Sequence, residues 1–367
     1  MGSAPGIGII GGGIWAAHHV NAVRDLERQR MARLVAVCAR TQQTVSRLCE
    51  QYRIEGTTDY RDLLARQDID AVCIVTPDHL HREMTVAAAR AGKHILVEKP
   101  MDLSVKGCDE MLEAARENRV MLFVDFHKRY DPVQQKVRDL IGERRLGTIE
   151  YGYAYMEDKI IVPRDWLSKW AAQTTPFWFL GIHQVDLLRW TLNSEVRNVL
   201  AHSFRGKLEG LGIDTPDAVK AELKFENGAV VTVDVSWILP EGFEAVVNQG
   251  LRLVGTEGLI EVDTQDRGAA GCFSGGTMET YNTNAAKVTI NALGQSTYSG
   301  YFIDPIKEFL HLVGYLKDGG DLQSIKGKYP SGEDGREATR IAAAVDQSIA
   351  KGIPIAVCQN DGSSPDV

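Results

Sequence analysis

At 367 residues the chain is longer than one ordinary hydrophobic core requires, and at about 100 to 200 residues per domain it is expected to form two domains meeting at a cleft. Its 44% hydrophobic and 25% charged residues argue against a disordered or fibrous chain. A net charge of -8, with no basic stripe interleaved with aromatics, argues against nucleic acid as a partner, and apolar runs far short of the ~20 residues of a bilayer crossing argue against a membrane span.

Gly11, Gly12 and Gly13 interrupt the first apolar run, so no secretory leader is expected and the cytoplasm is the expected location. Cys38, Cys49, Cys73, Cys108, Cys272 and Cys358 contain no CxxC pair, the pattern of reduced, mostly buried thiols without a disulfide framework.

From Gly6 to about Asp125, short β-branched runs alternate with helical stretches. Strands are expected over 7–10, 34–38, 71–75, 94–97 and 121–124, and helices over 15–28, 44–52, 81–91 and 105–118. Apolar strands separated by helices of this length imply a doubly wound parallel sheet covered on both faces, an α/β nucleotide-binding domain over 1–125.

After Pro132 longer period-2 runs appear. Runs 218–225 and 229–237 flank Glu226, Asn227 and Gly228, where the Asn-Gly pair is expected to supply the positive φ angles of a tight hairpin. Runs 251–254 and 259–262 repeat the device around Thr256, Glu257 and Gly258. With 149–155 and 196–203 they imply an α+β domain over 126–357, a large, mainly antiparallel open sheet whose helices include 184–192 and 305–316. The Gly-, Thr-, Asn- and Ser-rich stretch Thr264 to Gly300 reads as a long loop, and 358–367 as a disordered tail.

The run Ile7-Gly8-Ile9-Ile10-Gly11-Gly12-Gly13-Ile14-Trp15-Ala16 is a strand opening through a GxGxxA turn into a helix. Gly11 permits the turn, Gly13 lets backbone approach a pyrophosphate, Ala16 allows close helix packing, and the helix N-terminus offers amides to the anion. The second strand ends in Cys38, Ala39, Arg40 and Thr41, without the acid that would accept from the ribose hydroxyls of NAD. Arg40 with Thr41 suits the 2'-phosphate of NADP; a solvated Arg40, or one stacked on adenine, is the other reading.

These residues resemble the glucose-fructose oxidoreductase and inositol dehydrogenase (Gfo/Idh/MocA) superfamily over nearly the whole chain. The resemblance rests on the GxGxxA turn, Thr76-Pro77-Asp78-His79-Leu80-His81, and the run Ala91 to Pro100 ending in Glu98-Lys99-Pro100. It also rests on Arg129-Tyr130-Asp131-Pro132, Gly181-Ile182-His183-Gln184-Val185-Asp186, and Gly332-Glu333-Asp334-Gly335. It implies a Rossmann domain, a second domain whose sheet makes homodimers or homotetramers, and hydride transfer at a hydroxyl or carbonyl carbon of carbohydrates and related rings. A dihydrodiol dehydrogenase of the superfamily uses NADP and has a similar Ala-Arg ending to its second strand.

The resemblance makes Lys99 the catalytic lysine, at the carboxyl end of a parallel strand where ligands of open α/β sheets bind, and His183 an acid-base or orienting group at the reacting oxygen. Asp186, on the same helix face as His183, binds substrate or fixes the histidine. Gly11, Gly13, Ile14, Trp15, Arg40, Thr41, Thr76, Pro77, His79, His81, Glu98 and Lys99 are expected around the cofactor, and no metal is assigned to His79 and His81. Arg129, Arg164, Trp166, Trp178 and Phe179 are candidates for the substrate side. Phe179 is a departure, because many members carry an aspartate four residues before the histidine, and an aromatic ring there cannot orient a substrate hydroxyl.

The expected activity is an NAD(P)-dependent dehydrogenase or reductase of a sugar, glycoside or cyclitol. The alternatives are an NAD enzyme oxidising C3 of a glycoside in redox-assisted cleavage, and a non-catalytic dinucleotide-binding redox sensor, for which Phe179 speaks and Lys99 with His183 speak against.

Overall fold

In the computed structural model, which describes residues 3–263, 268–272, 278–282, 284–292 and 294–357, the chain divides into two compact units. The first comprises Met1–Pro132 with Thr283–Thr339, the second Val133–Asn282 with Arg340–Val367. The tail expected at 358–367 lies outside the described residues.

The first unit alternates strand and helix: β1 (Gly6–Ile10), α1 (Ala16–Arg28), β2 (Arg33–Cys38), α2 (Gln42–Tyr52), β3 (Glu55–Thr57), α3 (Tyr60–Leu64), β4 (Ala71–Ile74), α4 (His81–Arg90), β5 (His94–Val97), α5 (Val105–Glu117) and β6 (Leu122–Val124). The strands pair in parallel in the order β3-β2-β1-β4-β5-β6. Every residue of β1, β4 and β6 is buried, which is why these strands read as unbroken apolar runs. The strand order reverses between β1 and β4, and in open α/β sheets that reversal opens the crevice where ligands bind. β3 and α3 are too short to announce themselves by periodicity.

The second unit contains α6 (Pro132–Gly142), β7 (Ile149–Lys159), α7 (Ile182–Leu192), β8 (Val196–Phe204), β9 (Ala218–Phe225), β10 (Val230–Leu239), β11 (Val247–Gly255), β12 (Gly258–Asp263), β13 (Gly268–Cys272) and β14 (Met278–Asn282). Its main sheet runs β12-β11-β7-β10-β9-β8 with a short C-terminal strand at the β8 edge, antiparallel except where β10 lies parallel to β7. Val231, Val233, Val235 and Trp237 point to the covered face of β10 and are essentially inaccessible, the alternation expected of a sheet with one face buried. The hairpin turns differ from the sequence expectation. In the first, only Gly228 has positive φ, at 94°, and the Asn227 side chain instead accepts from the Ala229 amide at 3.1 Å. In the second, none of Thr256, Glu257 and Gly258 has positive φ.

The chain then returns to the first unit through β15 (Lys287–Ile290), β16 (Ser296–Ser299) and α8 (Asp304–Lys317), and crosses to the second along α9 (Gly332–Lys351) to end in β17 (Ile355–Ala356). The stretch expected to be one long loop therefore holds two hairpins, β13–β14 and β15–β16. Every residue of β15 is exposed, so no buried alternation marks it in the sequence.

A second correction concerns α8, which was expected on the antiparallel sheet. Ile306, Phe309, Leu310 and Val313 instead join Ile7, Ile9, Leu96 and Phe123 in the core of the first unit. An apolar stripe identifies a buried face but not the sheet that buries it. Charge partners fix the helix there: Lys307 bonds Asp25, and Lys317 meets Asp70 at 2.8 Å. Among the described residues no helix is long and apolar enough to cross a membrane.

Phe309 is fully buried and meets Phe123 edge-on at 5.8 Å. Phe309→Ala should lower stability by about 3–5 kcal/mol in urea unfolding followed by fluorescence; a loss below about 1 kcal/mol would mean that α8 is peripheral to this core.

Candidate active site

The glycine turn after β1 is built by three different constraints. Gly11 has φ +134°, and a Cβ there would lie 2.0 Å from the Val75 carbonyl oxygen, so only glycine fits. A Cβ on Gly12 would lie 2.7 Å from the Thr44 methyl and 2.9 Å from the Ala39 Cβ, so this glycine lets α2 pack close. At Gly13 a Cβ would meet nothing within 4 Å: the space beside the start of α1 is open.

Ile14 is exposed, and the Trp15 ring packs against His18 and Phe302, with centroids at 4.9 Å in both cases. Arg40 and Thr41 are exposed at the end of β2, with Thr41 capping α2 by accepting from the Thr44 amide. Arg47, which sequence reasoning did not single out, reaches to 3.5 Å from the Gly12 carbonyl oxygen.

At the end of β4 the Thr76 hydroxyl oxygen is buried without a hydrogen-bond partner. His81 is held between the carbonyls of Thr76, at 2.9 Å, and Pro100, at 2.7 Å, so its ring braces the loop containing Pro77; His79 is exposed. Open space over Gly13, the amino end of α1 and an unmatched buried hydroxyl fit a dinucleotide with its diphosphate at the turn.

Strands β5 and β6 end beside this turn in Glu98-Lys99 and Asp125. Glu98 points inward, 2.9 Å from His19 Nε2 on α1, and Asp125 Oδ2 lies 4.0 Å from the same nitrogen. A carboxyl oxygen of each acid lies within 4.8 Å of the other. Burial pushes Glu98 up to about 7 against the pull of Lys99 and His81, and burial followed by the Glu98 charge raises Asp125 well above the usual carboxylate range. Burial lowers His19 to about 4, partly opposed by Asp125.

Lys99 is half-buried, and its charge acts on both acids. His127 stacks on Tyr301 at 5.6 Å with the rings nearly parallel, and the Lys128 ammonium sits 4.4 Å over the same tyrosine ring. Burial, then the charges of Lys128, Lys99 and His18, hold His127 well below its ordinary range. Arg129 pairs with Asp334 at 2.9 Å, joining two motifs far apart in sequence.

Sequence reasoning missed His19, Asp125, His127 and Tyr301. Asp125 was detectable, since it follows the last parallel strand as Lys99 follows the one before. His19 was concealed by its place on the buried stripe of α1.

In the second unit a π-helical turn, Phe177–Gly181, leads into α7. Gly181 is required there because a Cβ would lie 2.7 Å from the Phe177 ring. His183 lies in the first turn of α7 and Asp186 begins the second, and both are buried. Phe179 is half-buried between Trp170, at 6.1 Å, and Trp237, at 5.7 Å. Trp178 is buried and donates its indole N–H to Asp346 at 2.7 Å. Arg164 is matched by Asp165 at 2.7 Å and by Glu241, while Trp166 is exposed.

Comparison with known proteins agrees with this architecture. Residues 6–126 match the model of an oxidoreductase family with an NAD-binding Rossmann fold, and residues 134–261 match the GFO/IDH/MocA C-terminal domain. The chain is 27% identical over 361 residues to an uncharacterized oxidoreductase, YrbE, of Bacillus subtilis, covering 95% of this chain and 96% of the relative. It is 25% identical over 345 residues to an inositol 2-dehydrogenase of Rhizobium meliloti, covering 94% and 96%. The scyllo-inositol dehydrogenase of Lactobacillus casei, solved with NAD(H) and scyllo-inositol bound, has the same fold, with a TM-score of 0.75 at 19% identity over 96% of this chain and 99% of that one.

Because the space at Gly13 is open, Gly13→Val should leave the melting temperature nearly unchanged while obstructing the nucleotide. Calorimetric titration with NADH and NADPH should show at least about a tenfold loss of affinity; undiminished binding would place the diphosphate elsewhere.

Proposed function

The chain belongs to the Gfo/Idh/MocA family of oxidoreductases, and we propose that it moves a hydride between NADP and a hydroxyl-bearing carbon of a sugar or cyclitol. The observation that carries this proposal is the convergence, within the first unit, of the glycine turn, Thr76, Glu98 and Lys99 at the carboxyl ends of β1, β4 and β5. Similarity to relatives such as the inositol 2-dehydrogenase of Rhizobium meliloti supports the substrate class.

When bound, the nicotinamide supplies the hydride acceptor or donor. The backbone at Gly11, Gly13, Ile14 and Trp15 holds the diphosphate, and Thr76, Pro77, His79 and His81 border the nicotinamide end. Lys99 takes the hydroxyl proton in oxidation and returns it in reduction. His183 donates to or accepts from the reacting oxygen, with Asp186 as its positioning partner. Arg129, Arg164, Trp166 and Trp178 remain candidates for the substrate side, although both arginines already have carboxylate partners and Trp178 its Asp346 bond. Phe179 with Trp170 and Trp237 makes an aromatic wall, suited to the C–H face of a ring and not to a hydroxyl.

For NADP speak Arg40 and Arg47, two cations on either side of the β2–α2 junction. The acids nearest Cys38 are engaged elsewhere, Asp59 with Arg61 at 3.5 Å and Asp62 with Thr57 at 3.1 Å. Tyr151 and Tyr153, exposed on β7, make the sheet of the second unit the surface through which copies would pair as a homodimer or homotetramer.

Turnover would be followed by nicotinamide absorbance over a panel of cyclitols and sugars. Lys99→Met should cut kcat by at least about a thousandfold while nucleotide affinity stays within about twofold, and a mutant retaining most activity would remove Lys99 from its role. Arg40→Ala should weaken NADP by about tenfold or more and NAD by much less; equal losses would refute recognition of the phosphate.

A further inference from the structure

The proton transfer assigned to Lys99 leaves unused the buried groups behind it, Glu98 and Asp125 with His19. The side chains of Glu98 and Asp125 are 9% and 2% exposed, and a carboxyl oxygen of each lies within 4.8 Å of the other and of His19. Two bare carboxylates at that separation, away from water, would repel strongly; a proton on one removes the repulsion and gives it a hydrogen to donate, since a carboxylate only accepts.

The surroundings supply little to offset a second negative charge. His19 on α1 stays neutral, with burial holding it near 4. On β4, Cys73 remains a thiol, because burial and the same two acids raise it. After β6, His127 is held neutral and Tyr130 remains a phenol, raised by burial, Glu308 and Asp125. His81 on α4, with both ring nitrogens facing carbonyls that only accept, draws on Glu98 but not on Asp125. Lys99 is the cation that acts on both acids.

We infer that Glu98 and Asp125 share a proton at neutral pH, so that the wall behind Lys99 carries at most one negative charge, and that Asp125 is a positioning residue that fixes this charge. A second charge would hold the proton on Lys99 and prevent the amine from acting as a base. The link to Lys99 rests on the function proposed above; the shared proton does not.

The experiment therefore begins with the protein free of cofactor and substrate. Infrared difference spectra of wild type minus Asp125→Asn at pH 7 should show the carbonyl stretch of a protonated carboxyl, with Glu98→Gln as the second variant should the first fold poorly. No such band in wild type, or a band of equal size in both variants, would overturn the shared proton.

Stability provides an independent readout. A carboxyl raised on folding stabilises below its unfolded range and loses that contribution as pH rises through its folded value. Wild-type melting temperature should carry a decline between about pH 4.5 and about pH 7 that is reduced in Asp125→Asn, whereas parallel profiles would count against the inference. In turnover assays the wild-type inflection near pH 7 should disappear in Asp125→Asn, and an unchanged inflection would sever Asp125 from Lys99. Absence of turnover with every substrate, alongside the expected infrared band, would sink the proposed function and leave the proton pair standing.

Discussion

A parallel sheet buried on both faces has nowhere to put polar chemistry except the ends of its strands. In the first unit β1, β4 and β6 are wholly buried, and helices cover the sheet on both sides. The glycine turn, Thr76, Glu98-Lys99 and Asp125 all sit within three residues of a strand's carboxyl end. The reversal of strand order between β1 and β4 opens the gap at that edge. The location of the site thus follows from the same burial that stabilises the fold.

That location is partly dry, and dryness sets the electrostatics. Acids that would be fully ionised in water are raised by burial at Glu98 and Asp125, and histidines that would titrate near neutrality are driven neutral at His19 and His127. Among the cations there, Lys99 acts on both acids. A lysine in such a place responds strongly to any single proton nearby, because low dielectric magnifies each charge.

The fold was legible where burial produces period. The continuous strands and amphipathic helices of 6–125 could be read to within a residue or two of their ends, as could the alternation of β9 and β10. It was illegible where burial is absent or ambiguous. β15, exposed along its whole length, carries no pattern to read, and the stripe of α8 fits either sheet equally well. At the candidate site, glycines and Lys99 stand out because their chemistry constrains the local chain. Asp125 could have been noticed by its place after β6, but His19 acquires meaning only through its contact with Glu98, 79 residues away, which a pattern along the chain cannot express. The Arg129–Asp334 pair is hidden for the same reason.

The return of 283–339 to the first unit has a consequence for how this protein is made. The core beneath β1, β5 and β6 includes Ile306, Phe309, Leu310 and Val313, which leave the ribosome only after strands β7 to β14 of the second unit have been synthesised. Until then one face of the nucleotide-binding sheet lacks part of its cover, and the nascent chain carries an adhesive apolar surface of the kind that invites aggregation or chaperone binding. The amino-terminal half is thus the first to be translated and among the last to be closed.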